Sequence, residues 1–169
     1  MGPNIVQEFF GSVSEGYKSN MGFIKDTPFY KDAIHEKHYS CGTYYLFDTF
    51  IVAEIKEDIV YTWDEHAKPI VEELTDLYDH NGENVVYISN RVHSYSVKPS
   101  DWIKFFRNNF RLRGYAIVSY TQKGLLTSLL EKLFMRNSFQ NFDNLEDAII
   151  WAKKLTHDID ITTEGDKSA

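Results

Sequence analysis

The chain has 169 residues, with 25 acidic against 18 basic side chains and a formal net charge of −7. That length suffices for one domain with a real core and leaves little for a second. The acidic balance argues against a general nucleic-acid binder, which needs a basic face to meet phosphates. The single cysteine, Cys41, excludes an intramolecular disulfide and fits a reducing compartment, so a cytoplasmic location is expected. No uncharged run approaches the length of a membrane span, and no secretory leader is recognisable. The aromatic load is heavy for the size: 12 Phe, 11 Tyr and 3 Trp.

Residues 1–42 read as an irregular aromatic N-terminal arm. Gly2, Pro3, Gly11, Gly16, Gly22 and Pro28 interrupt every apolar pattern there, while Phe9, Phe10, Tyr17, Phe23, Phe29, Tyr30 and Tyr39 supply surface for packing. Within the arm, His35 and His38 would share a face if the segment were helical, with Cys41 nearby. A structural zinc site needs four ligands and no fourth is at hand, so no metal is expected.

From residue 43 to about 155 the pattern becomes an ordered alternation. Thr43–Asp48 and Phe50–Ile55 are β-rich runs separated by almost nothing, as in a tight hairpin or one long bent strand. Thr62 and Glu65 match a capping box ahead of a helix carrying Ile70, Val71, Leu74, Leu77 and Tyr78. Pro69 requires either a kinked first turn or a helix that begins near the proline itself. Asn81-Gly82 should end that helix, and Glu83–Ile88 should be a buried strand. A polar loop over 89–98 then leads to a short helix opening near Pro99, with Trp102, Phe105 and Phe106 on its apolar side. Tyr115–Tyr120 is the next strand, and Thr121 would cap a helix striped by Leu125, Leu126, Leu129, Leu130, Leu133 and Phe134. A short extended piece, Ser138–Phe142, precedes a last helix capped by Asp143 with Glu146 and striped by Leu145, Ala148, Ile149, Ala152 and Leu155. Residues 156–169 are polar and read as a C-terminal tail.

Strands separated by single helices pair in parallel through crossovers, and the hairpin closes one edge antiparallel. The expected fold is α/β: a single mixed, mainly parallel sheet of four to five strands, with helices packed mostly on one face.

That order of elements resembles the STAS fold of anti-sigma-factor antagonists, and more closely its stage II sporulation AA-like branch. The residues that carry the resemblance are the strand Val85-Val-Tyr-Ile-Ser-Asn-Arg91, the segment Gly114-Tyr-Ala-Ile-Val-Ser119, and the ending Phe139–Trp151 with its Phe, cap, acidic pair, Ala-Ile and Trp. The resemblance covers residues 43–155. It implies a non-enzymatic binding or regulatory module acting through a protein partner or a small ligand, sometimes switched by phosphorylation. The family's acceptor serine sits in an Asp-Ser-Ser/Thr-Gly stretch after the central strand, and this chain has no such stretch. Ser89 is the nearest counterpart by position and Ser100 the nearest to the helix start, so phosphoregulation would rest on those two. STAS-like sheets are also similar to the smaller CRAL-TRIO-type lipid-binding architecture, which makes a carrier of a lipid or other apolar molecule the alternative.

The loop at 89–98 offers the best candidate ligand or partner residues: Asn90, Arg91, His93, Tyr95, Ser96 and Lys98. They lie at the carboxyl end of a central strand, where open α/β sheets place their sites, and suit an anion or a partner's carboxylate. Lys104, Arg107, Arg111 and Arg113 interleave with Phe105, Phe106 and Phe110, but cations in a helix's last turn and core phenylalanines explain them without nucleic acid. No nucleophile elbow, P-loop or Gly-x-Gly-x-x-Gly is present, so neither catalysis nor a cofactor is expected. The aromatic arm and an open sheet edge near residues 43–55 would favour a homodimer.

Overall fold

A computed structural model describes residues 22–98, 100–121, 133–134 and 138–167, with side chains to residue 157. Eight strands lie among them: β1 (His35–Tyr39), β2 (Gly42–Leu46), β3 (Phe50–Ile55), β4 (Val60–Tyr61), β5 (Val86–Arg91), β6 (Ser96–Val97), β7 (Gly114–Ser119) and β8 (Phe139–Phe142). The described α-helices are α1 (Lys68–Tyr78), α2 (Ser100–Arg107) and α3 (Leu145–Lys167). Six strands form one sheet in the order β1-β2-β3-β5-β7-β8, and β4 pairs with β6 in a small parallel ribbon. The first three strands run antiparallel and the rest are parallel, so the expected mixed, mainly parallel α/β sheet is present.

It has six strands, not four or five. The addition is β1, in the stretch expected to be irregular. His35-Glu-Lys-His-Tyr39 lacks apolar alternation because it is an edge strand, and charged side chains on an edge discourage further pairing. The edge expected near residues 43–55 is therefore covered, since β2 lies between β1 and β3. In an extended strand, residues three apart point to opposite faces, so His35 and His38 diverge. His38 instead binds Thr43 Oγ1 at 3.1 Å and Glu36 at 3.1 Å.

Alternation along the strands sends side chains to two layers. One face carries Tyr45, Val52, Val86, Ile88, Ala116 and Val118, and is covered by α3 through Leu145, Ala148, Ile149 and Ala152. Ile24, fully buried, joins that layer from the first of two 3-10 turns (Ile24–Asp26 and Pro28–Asp32), with Phe29 and Tyr30 packed against it. Residues 22–34 thus cover the sheet. The arm's earlier aromatics, Phe9, Phe10 and Tyr17, lie outside the described residues. The opposite face carries Tyr44, Ile51, Ala53, Ile55, Tyr87, Tyr115 and Ile117, packed by α1 through Ile70 and Leu74 and by α2 through Trp102 and Phe106. Two of the three described helices share this face.

The start of α1 reconciles Thr62 with Pro69. Thr62 Oγ1 accepts from the Glu65 amide at 3.2 Å, opening a π-helical turn over Trp63–Ala67, and the regular helix follows with Pro69 in its first turn. The helix ends at Tyr78, with Asp79 left-handed at φ 59°, three residues before the expected Asn81-Gly82 stop. β5 begins and ends three residues later than expected, so Ser89, Asn90 and Arg91 belong to the strand. The helix anticipated over Leu125–Leu130 lies outside the described residues. At α3 the capping side chain is Asn144, whose Oδ1 accepts from the Asp147 amide at 2.8 Å, where Asp143 was expected to act. The helix then runs on to Lys167 through the stretch anticipated as a tail, because residues 156–167 hold no proline and one glycine only near their end.

Asn144→Ala should cost about 1 kcal/mol in urea unfolding, as loss of an N-cap does, while Asp143→Ala should stay within about 0.3 kcal/mol of the parent. A larger loss at Asp143 would return the cap to that residue.

Candidate functional site

The layer between the sheet and helices α1 and α2 holds a cavity of about 100 Å³. Its floor is the sheet, through Tyr44, Ile51, Ile55, Tyr87 and Tyr115. Ile70 and Leu74 of α1 wall one side, and Trp102 and Phe105 of α2 the other. Trp63 bridges them, edge-on to Phe105 at 6.1 Å between ring centroids. Its position is fixed by the π-helical turn, whose first amide donates to Asp101 Oδ2 at 3.0 Å, and by Lys104, which reaches Asp64 at 3.0 Å. Single π-turns are rare in helices and recur at functional sites. Tyr61 and Val97, from the β4–β6 ribbon, close the end nearest the strands' carboxyl termini.

Phenol oxygens supply most of the polar atoms at that end. Tyr44 and Tyr61 hydroxyls bond each other at 2.6 Å, and the Tyr87 hydroxyl donates to Tyr44 at 3.4 Å. Burial pushes the Tyr44, Tyr61 and Tyr87 hydroxyls well above their ordinary values. Tyr115 is pushed up to about 12 by burial, with the Arg91 charge pulling the other way. These hydroxyls therefore stay protonated at neutral pH and serve as hydrogen-bonding groups.

The sequence-predicted residues fall on both sides of the sheet. Arg91 and Tyr95 stand together at the cavity end, with the guanidinium 5.0 Å over the Tyr95 ring. Tyr95 shares a 2.6 Å hydrogen bond with Ser89 Oγ, and Ser89 is fully buried. Asn90 points to the opposite face and is also fully buried. His93 is exposed and packs edge-on against Phe23 at 5.7 Å. Ser96 and Lys98 are exposed on and beside the ribbon, and Ser100 is exposed at the first turn of α2. Sequence reasoning missed the cavity's main lining, Tyr44, Tyr61, Trp63, Leu74, Tyr87 and Tyr115. The available signal was a tyrosine on each of three predicted strands, but only the strand register shows that they share a face.

On the other face, Asn90 organises a second polar cluster. Its Nδ2 donates to the Gly22 carbonyl at 2.5 Å and lies 3.4 Å from Glu54 Oε2, while Tyr120 donates to its Oδ1 at 2.9 Å. Glu54 Oε1 accepts from the Ile24 amide at 3.4 Å. A Cβ on Gly22 would collide with the Tyr120 hydroxyl, so the backbone here fits closely over the cluster. Among the described residues no group of three or more His, Cys, Asp or Glu side chains is placed to hold a metal, and no helix is long and apolar enough to cross a membrane.

No family model matches this chain, and no curated protein or solved structure matches it significantly.

Glu54 makes one pH prediction. Burial raises its carboxyl from 4.5 to about 7, with the bonds from Ile24 and Asn90 pulling the other way. Between those values the folded chain holds a proton that the unfolded chain has released, so stability is full below about pH 4.5 and falls as pH rises towards 7. Glu54→Gln should flatten that slope and raise stability at pH 8 by on the order of 3 kcal/mol, read from urea unfolding between pH 4.5 and 8. A variant that keeps the parent's pH slope would contradict the assignment.

Proposed function

We propose that the protein is a non-catalytic binding module whose ligand is a small, largely apolar molecule seated between the sheet and helices α1 and α2. The observation that carries this reading is the cavity of about 100 Å³ walled by Ile, Leu, Trp, Phe and Tyr side chains. Protein interiors are close-packed and hold few voids larger than a water molecule. A ligand that enters such a space covers its apolar lining, which is favourable by about 25 cal/mol for each Å² removed from water. Among the described residues the large exposed apolar side chains are Phe23, Ile34, Val60, Leu77, Ile103 and Ile150. The tyrosines around the cavity keep their protons at neutral pH, which suits binding better than acid–base catalysis.

This reading takes the STAS-like resemblance in its small-ligand form and shares with the carrier alternative the same site. It differs from a protein-partner module in what should accompany the purified protein. Organic extracts analysed by mass spectrometry should contain one enriched small apolar compound. Toluene should quench or shift the fluorescence of Trp63 and Trp102, which both line the cavity. Leu74→Phe, which fills the space from α1, should weaken toluene at least tenfold while the circular dichroism spectrum is kept. Toluene binding that is absent in the parent, or unchanged in the folded Leu74→Phe variant, would refute the reading.

A further inference from the structure

Behind Tyr95, a residue of the cavity wall, stands a cation that has no carboxylate partner among the described residues. Arg91 is the last residue of β5 and faces the same side as Tyr87 and Ser89. Among the described residues no carboxylate lies within ion-pair distance of its guanidinium. Its Nε–H is buried and has no hydrogen-bond partner there. A buried donor without an acceptor is destabilising, and a guanidinium cannot escape by losing its proton.

The surroundings favour an anion at that point. Arg91 stacks at 5.0 Å over Tyr95, and Tyr95 both lines the cavity and bonds Ser89 Oγ. Tyr115, on the cavity floor, faces the same side of the sheet from the neighbouring strand β7. A fixed positive charge and the Ser89 hydroxyl therefore stand behind Tyr95, beside a space whose lining is mainly apolar, with Asp101 and Arg111 also on its wall. A carboxylate supplies both missing elements, the opposite charge and an acceptor in the plane of the guanidinium. One cation matches one negative charge, which favours a carboxylate over a phosphate dianion.

Resting on the cavity reading above, we infer that the ligand is a small monocarboxylic acid with an apolar body. Its carboxylate is held by Arg91 with the Tyr95 and Ser89 hydroxyls, and its body lies in the cavity against Tyr87, Tyr115 and Leu74. A volume near 100 Å³ has room for a body of about one six-membered ring or a short branched chain.

Phenylacetate, phenylacetamide and toluene separate the two layers of the argument when titrated against the full chain by tryptophan fluorescence at low salt. The parent should bind phenylacetate at least tenfold more tightly than the isosteric amide, and Arg91→Gln should reduce that preference to within twofold. Equal affinity for acid and amide in the parent, with toluene still bound, would overturn the anion site and leave the cavity reading standing. Failure of all three to bind the folded parent would overturn both. The acid–amide comparison in the parent needs no variant, so it decides the matter even if Arg91→Gln fails to fold. A folded Arg91→Gln protein that keeps the full acid preference would equally overturn the role of Arg91.

Discussion

The structure depends on hydroxyl groups buried in the aromatic face of the sheet. Tyr44, Tyr87 and Tyr115 come from three different strands, and the sheet's registry turns all three towards the same side. A buried phenol must find a partner for its O–H, or lose free energy comparable to an unmade hydrogen bond. Tyr44 and Tyr87 meet this demand through each other and Tyr61, and Tyr61 is delivered by the β4–β6 ribbon. Ring stacking reinforces the arrangement: Tyr87, Tyr115 and Phe139 are neighbours across β5, β7 and β8, with interplanar angles of 19° at each step. Bulky rings held in a fixed row set the distance of α1 and α2 from the sheet. The space between those helices follows from that spacing.

The two faces solve burial in different ways. Under α3 the sheet presents Val, Ile and Ala, and small helix residues such as Ala148 and Ala152 let the layers approach closely. The buried ionisable side chain of that layer among the described residues, Glu54, is hydrogen-bonded by Asn90 and by the backbone at Ile24. Residues 22–24 are thus fixed by polar contacts as well as by the burial of Ile24. The α1–α2 face instead combines large rings with Ala53, a small residue paired with Tyr44 and Ser89 on its two sides. The polar ends of the tyrosines, Ser89 and Arg91 gather beyond it, towards the strands' carboxyl ends. Open α/β sheets commonly bind ligands at that end.

Much of the fold was legible from pattern alone. The β2–β3 hairpin stood out because both strands are dense in β-branched and aromatic residues, and the faces of α2 and α3 stood out by their helical spacing. β1 was hidden because an exposed edge strand needs no apolar alternation, and its histidines imitate a helical face. The strand character of Ser89, Asn90 and Arg91 was hidden for a different reason. Polar residues in a row read as loop unless their partners are known, and those partners are Tyr95, six residues on, and Gly22, Glu54 and Tyr120, distant in sequence. Arg91 and Tyr95 were nevertheless identifiable as candidates from their place after a central strand. The cavity was not, since side-chain pattern fixes neither the register that puts the tyrosines on one face nor how far helices stand above it.

The central claim is that the space over Tyr87 and Tyr115 accepts an apolar guest. Crystals pressurised with xenon test it most directly, because xenon enters apolar cavities of this size and scatters strongly. The account predicts a xenon site enclosed by Ile70, Leu74, Tyr87 and Phe105. Xenon found only elsewhere, with this space filled by rearranged side chains, would contradict it.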